Sequence, residues 1–128
     1  MKNYKYFKEL IRINKEVYQY GGTSNLRATE EEIDGFESVL SELYTASGSN
    51  LYTTLKSILH ACALMYSYQP FYDGNTRTMK RFLVDYLKRN GINVIIGNND
   101  IIIPVYYPGE DNGISKESIY RLKKRIMN

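Results

Sequence analysis

A mainly helical bundle with a minor β-hairpin is the fold class this sequence predicts, and three observations predict it. Apolar residues recur at helical spacing through four separate stretches. Gly, Pro, Ser and Asn punctuate those stretches at intervals that suit helix–helix connections. One short β-branched region, Ile92 to Tyr107, stands apart from the helical pattern. At 128 residues, with 43% hydrophobic and 24% charged side chains, the chain fits one domain spanning 1–128 with a workable core. Disorder and repeat architectures have no support in this composition.

The first helix is expected over about Asn3 to Tyr20, with Phe7, Leu10, Ile11, Val17 and Tyr18 on its apolar face and Asn14 interrupting it. Gly21-Gly22 ends it, because glycine readily takes the left-handed conformation past a helix C-terminus. After a loop from Gly21 to Ala28, Thr29-Glu-Glu-Glu32 reads as a capping box. Ile33, Phe36, Val39, Leu40 and Leu43 then form the buried face of a second helix. Beyond Ser47-Gly-Ser-Asn50, a third helix runs from about Leu51 to Tyr68 and buries Leu55, Ile58, Leu59, Cys62 and Met65.

Pro70 closes the third helix, since proline disfavours helical geometry in the residue before it and lacks the amide a helix would use. A fourth helix follows from about Asn75 to Asn90, burying Met79, Phe82, Leu83, Tyr86 and Leu87 and stopping at Gly91. Ile92 to Ile96 and Ile101 to Tyr107 flank Gly97-Asn-Asn-Asp100 and predict a hairpin, with Pro104 marking an exposed edge. Ser115 caps a last helix carrying Ile119, Leu122 and Ile126.

Composition also narrows the function classes. No stretch approaches ~18 uninterrupted apolar residues, and the opening Met-Lys-Asn-Tyr-Lys-Tyr lacks the apolar run of a secretory signal, so a soluble cytoplasmic protein with no membrane partner is expected. Cys62 is the sole cysteine and cannot form an internal disulfide. A net charge of +3 is too small to imply nucleic acid, and Arg121, Lys123, Lys124 and Arg125 read as a solvated helix face. Thirteen tyrosines and no tryptophan, each ring with an apolar body and a polar tip, fit half-buried seams or a sticky binding face, and scattered core and rim positions are the simpler expectation.

The segment that carries chemistry is Gln69-Pro-Phe-Tyr-Asp-Gly-Asn-Thr-Arg-Thr-Met-Lys-Arg81. It opens directly into a helix, whose free amides and dipole make an anion site. Gly74 lets the backbone approach a phosphate closely, and Asn75 can cap the helix or donate to an oxygen. Arg77, Lys80 and Arg81 place three cations in the first two turns, where the dipole disfavours positive charge, which suits a bound polyanion. Asp73 can hold a magnesium ion bridging two phosphates. A capped helix start with solvated basic residues fits the same residues equally well.

This stretch resembles the signature of the Fic/Doc family, His-Pro-Phe-x-Asp-Gly-Asn-Gly-Arg-x-x-Arg, and matches it at Pro70, Phe71, Asp73, Gly74, Asn75 and Arg77. The short chain, Tyr20-Gly-Gly22 and Arg89-Asn-Gly-Ile-Asn-Val94 are similar to the small Doc branch, so the resemblance extends over most of the chain. It implies a Fic/Doc-like helical bundle, ATP and magnesium as cofactors, and transfer of AMP or phosphate to a protein hydroxyl. By the same resemblance Asp73 serves the metal, Gly74 and Asn75 the phosphate oxygens, Arg77 a phosphate clamp and Phe71 an apolar anchor. Gly21 to Ala28 lies where the family docks its target, and since no Glu is followed by Gly or Asn as in the family's inhibitory helix, any restraint would come from a separate antitoxin-like partner or from the degenerate loop itself.

Three positions depart from the signature. Gln69 replaces the general-base histidine, and an amide that does not titrate near neutral pH cannot accept the hydroxyl proton. Losing a positioned base costs ~10²- to 10⁴-fold in rate. Thr76 replaces the second glycine and crowds an approaching phosphate. Lys80 replaces the final arginine and loses its planar fork, with Arg81 next to it as a substitute. His60 lies nine residues before Gln69, roughly 13 Å along a helix of ~1.5 Å rise, and is expected on the surface rather than in the missing base's role. The expected function is therefore a nucleotide-phosphate-binding relative with impaired or altered transfer, and the alternative is a non-catalytic protein- or nucleotide-binding module.

Overall fold

The computed structural model describes residues 3–18, 25–45, 50–97, 100 and 114–127. Within them five helices run in order, α1 (Phe7–Val17), α2 (Glu30–Thr45), α3 (Leu51–Tyr68), α4 (Asn75–Arg89) and α5 (Lys116–Lys123), with strands β1 (Asn93–Val94) and β2 (Ile126–Met127). The fold is mainly helical with one small antiparallel sheet. No helix among the described residues is long and apolar enough to cross a membrane.

The helix ends follow local chemistry. Asn50 caps α3, its side chain accepting from the Thr53 amide at 2.9 Å. Thr29 and Glu32 form the expected reciprocal box, the Glu32 amide donating to the Thr29 hydroxyl at 3.2 Å and the Thr29 amide to the Glu32 carboxylate at 3.0 Å. At the end of α4, Gly91 takes φ +76° while its amide donates to Lys88 and the Ile92 amide to Leu87, a Schellman closure that needs glycine. The start of α1 is capped from outside: the Glu37 carboxylate on α2 accepts from the amides of Tyr6 and Phe7, both at 2.7 Å. That pairing satisfies orphan donors and sets negative charge on the positive end of the helix.

One core joins the helices, built on Phe7, Leu10 and Ile13 of α1, Ile33, Phe36 and Leu40 of α2, the apolar face of α3, and Phe82, Leu83 and Leu87 of α4. Ile119 and Leu122 bring α5 against α3. Cys62 is fully buried, and burial pushes its thiol up to about 12, which makes it inert. Tyr6 and Tyr44 stack with ring centres 5.1 Å apart, and Tyr44 sits edge-on to Tyr86 at 5.6 Å, so several tyrosines occupy half-buried seams.

Two expectations are corrected, for Asn14 and for Ile126. On α1, Ile13 and Asn14 are fully buried while Ile11, Val17 and Tyr18 are only half-buried, so Asn14 belongs to the inward face it was expected to interrupt. β1 pairs with β2 at the C-terminus, Val94 opposite Ile126 and Asn93 opposite Met127, a pairing the sequence reading did not include. Ile126 is therefore a strand residue, not part of the last helix. Arg125 turns the chain there, its guanidinium donating to the Asp100 carboxylate at 3.0 Å and 3.2 Å while its carbonyl accepts from the Ile95 amide at 3.1 Å. The expected strand Ile101 to Tyr107 with Pro104, the Gly21-Gly22 stop and the Ser47 to Ser49 break lie outside the described residues.

Candidate functional site

The loop begins with a forced turn. Because Pro70 follows, Gln69 cannot continue α3; it takes φ +44° and ψ +72°, the one non-glycine residue with positive φ among those described. A left-handed backbone costs an ordinary residue ~1–2 kcal/mol. Residues 25–28 hold it there. Arg27 donates from Nε to the Gln69 carbonyl at 2.7 Å and from a second nitrogen to the Tyr68 carbonyl. The Pro70 carbonyl accepts from the amides of Arg27 and Ala28 at 2.8 Å and 3.0 Å, Leu26 bridges Phe71 in antiparallel fashion, and the Tyr72 amide reaches the Asn25 carbonyl at 2.8 Å. The part of the expected target-docking loop that is described, Asn25 to Ala28, thus braces residues 68–72; Gly21 to Ser24 lie outside the described residues.

Phe71 is the loop's anchor. Its ring is 2% exposed and stacks on Phe7 at 6.3 Å, inside the core. Asn75 then fixes the backbone on either side of that ring: its side-chain oxygen accepts from the Phe71 amide at 3.0 Å and its nitrogen donates to the Phe71 carbonyl at 2.7 Å. The side chain expected to cap the helix or meet a phosphate is committed to the loop itself. Gly74 takes the N-cap position at φ +78°, with no side-chain cap. A Cβ there would lie 3.0 Å from Tyr18 Cβ and 3.1 Å from Asn14 Nδ2, so the left-handed backbone and the close approach of α1 both favour glycine whether or not a phosphate approaches.

Below the loop lies a polar network that the sequence pattern hides. Asn14 Nδ2 donates to the Asp73 carbonyl at 3.0 Å and to the Thr78 hydroxyl at 3.1 Å. Asn25 Nδ2 donates to the same carbonyl at 2.7 Å and to Asn14 Oδ1 at 3.1 Å. Asn14, Asn25 and Thr78 are buried, and no buried side-chain polar atom among the described residues lacks a partner. The only advance signal was a polar residue at a core-facing helical position, Asn14, spaced to meet a loop rather than another helix.

Above this platform, Tyr18, Gln69, Tyr72, Asp73, Gly74, Asn75, Thr76 and Arg77 line an open cleft of about 430 Å³. The first intrahelical bond of α4 runs from the Thr78 amide to the Gly74 carbonyl at 2.9 Å, so the amides ahead of it have no intrahelical acceptor and face the helix start. A second cleft of about 530 Å³ shares Thr76 and Arg77 and continues past Lys80 and Arg81 to Val84 and Ile96. The structure therefore brings Gln69, Asp73, Gly74, Asn75, Thr76 and Arg77 together, sets Lys80 and Arg81 along the neighbouring cleft, and withdraws Phe71 into the core.

The cations are not equivalent. Arg77 is exposed and makes one long contact, 3.5 Å to the Val17 carbonyl. Lys80 reaches the Gly97 carbonyl at 3.4 Å. Arg81 pairs with Asp85 at 3.2 Å and Glu16 at 3.7 Å, so its charge is partly spent on carboxylates and it is a poor stand-in for the signature's last arginine. The Asp73 carboxylate accepts from the Tyr18 hydroxyl at 3.1 Å, and that bond raises the Tyr18 pKa above its ordinary value. No group of three or more His, Cys, Asp and Glu that would cage a metal occurs among the described residues. A lone carboxylate beside helix amides fits magnesium arriving with phosphates, where the ion keeps water and phosphate oxygens, and does not fit a protein-only metal cage. His60, half-buried on α3, lines neither cleft. No protein-family model, curated protein or solved structure matches this chain.

Proposed function

We propose that the chain is a nucleotide-phosphate-binding protein of Fic/Doc type in which transfer of AMP or phosphate to a protein hydroxyl is impaired or altered by Gln69. The observation that supports this reading best is one cleft lined by Asp73, the first residues of α4 and Arg77, above a loop braced from beneath. Those groups meet the needs of a magnesium-bound polyphosphate: amides and a helix dipole for oxygens, a planar cation for charge, a carboxylate for the ion. Gln69 lines the same cleft and can orient a hydroxyl, but it cannot take its proton. Isothermal calorimetry with ATP and magnesium tests the binding half of the proposal. Saturable heat that requires both components is the expected result; none would remove nucleotide from this loop.

The catalytic half is tested by Gln69→His. Histidine is among the residues enriched in left-handed backbone, so the substitution fits the turn. With the cradle intact, labelled ATP should then modify a protein in lysate of the source cells, with transfer rising through an imidazole pKa of ~6.5. Label from the α-phosphate reports AMP transfer and label from the γ-phosphate reports phosphorylation. If neither Gln69→His nor its combination with Thr76→Gly transfers label while ATP still binds, the non-catalytic module replaces the transferase lineage as the reading.

A further inference from the structure

Beside Tyr68, α2 and α3 leave a groove of about 350 Å³. Phe36, Val39, Leu64 and Tyr68 give it apolar lining, and Glu31, Glu32 and Gly35 line it as well. Glutamates in the first turn of a helix are explained by the dipole alone. Gly35 is not. It sits inside α2, where glycine costs ~1 kcal/mol relative to alanine. A Cβ there would meet nothing within 4 Å, and φ is not positive, so neither packing nor backbone geometry asks for glycine. What the missing side chain does is keep the groove open. Tyr68 meets Phe36 edge-on at 6.1 Å, and remains 50% exposed.

We infer that this groove docks a cationic amphipathic helix of a partner protein, which lays apolar side chains on Phe36, Val39 and Leu64 and sets a lysine or arginine against Tyr68 and Glu31. Charge complementarity selects that occupant. The Glu31 side chain is exposed and makes no hydrogen bond or ion pair with the described residues, whereas the Glu32 carboxylate is engaged by Thr29 and by Arg27 at 3.6 Å, so Glu31 is the carboxylate on offer. An apolar lining with an aromatic ring and a carboxylate matches a basic group on an apolar stem, through burial, cation–π attraction and ion pairing together. The chain's own basic helix is a poor occupant, because Ile119 and Leu122 of α5 are already buried in its core. The inference does not depend on the nucleotide reading.

The test is fluorescence anisotropy of the full chain with a labelled helical peptide of leucine and lysine at amphipathic spacing, alongside its leucine–glutamate counterpart. The lysine peptide should bind wild type, although the chain itself carries +3. Gly35→Leu, which fills the groove with a good helix former, should weaken it at least tenfold while the melting temperature holds or rises. Glu31→Lys should weaken it several-fold. Failure of the lysine peptide to bind, equal binding to both variants, or equal binding of the glutamate peptide would each overturn the inference. So would concentration-dependent dimerisation abolished by Gly35→Leu, which would give the groove to a second copy.

Discussion

The first half of the Gln69–Arg81 segment and its second half are built on opposite terms. From Gln69 to Asn75 nearly every polar group is engaged from within: Arg27 on the carbonyls, Asn75 on Phe71, Asn14 and Asn25 on Asp73. In the second half Thr78 is buried and bonded to Asn14, whereas the two arginines are held loosely, by one contact of 3.5 Å for Arg77 and by surface ion pairs for Arg81. Exposed ion pairs are worth little to folding. The contrast separates what gives the loop its shape from what gives it charge, so substitutions in the first half should be read as losses of stability and those of the exposed arginine Arg77 as losses of binding.

The largest expected effect tests the shape half. Phe71→Ala empties a ring site in the core next to Phe7 and should cost ~3–5 kcal/mol in denaturant unfolding; a cost below ~1 kcal/mol would show that the loop is not anchored there. Asn75→Ala comes next, since it strips partners from both the amide and the carbonyl of Phe71, and a loss of ~1–3 kcal/mol is expected in the same measurement. Arg77→Ala should do the reverse, leaving stability within ~0.5 kcal/mol while weakening magnesium-ATP at least tenfold, ~1.4 kcal/mol. Equal affinity by calorimetry would take the anion site away from α4.

The smallest effect sharpens the boundary at α2. Backbone and side-chain hydrogen bonds from Thr29 hold the Glu32 pKa below its ordinary value, and Arg27 adds to the shift. A carboxylate depressed in the folded state contributes stability above its unfolded pKa of ~4.3 and loses it as pH falls through the folded value. Acid titration of wild type should therefore show a loss beginning near pH ~4.3 that is smaller in Glu32→Gln, measured as the difference in unfolding midpoint.

Periodicity read the helices well because their information is local. Leu51–Tyr68 and the start of α4 at Asn75 fall where Asn50, Pro70 and Gly74 put them, and Thr29 with Glu32 capped as a pair. The misses were tertiary. Asn14 faces inward because Asn25 and the Asp73 carbonyl, 11 and 59 residues away, answer its amide, and no window of neighbours contains them. β1 pairs with Ile126–Met127 from the far end of the chain, with the Arg125–Asp100 bond beside it, and no local window contains both strands. At the site, the residue types were legible and their commitments were not: Asn75 and Gly74 stood out as ligand contacts, yet each already answers a demand of the fold.

Phe71 carries a kinetic consequence as well. With its ring in the core and its amide on Asn75, the loop cannot open as a small cooperative unit of its own, so the Phe71 and Tyr72 amides should exchange with deuterium as slowly as those of α3. A ligand meeting such a loop pays no ordering entropy there, and its binding free energy passes to the whole chain. At a hundredfold excess over Kd that is ~2.7 kcal/mol of added global stability. Nucleotide would thus announce itself as a uniform rise in melting temperature and in the slowest amide protection, with little change in the motion of the loop it touches.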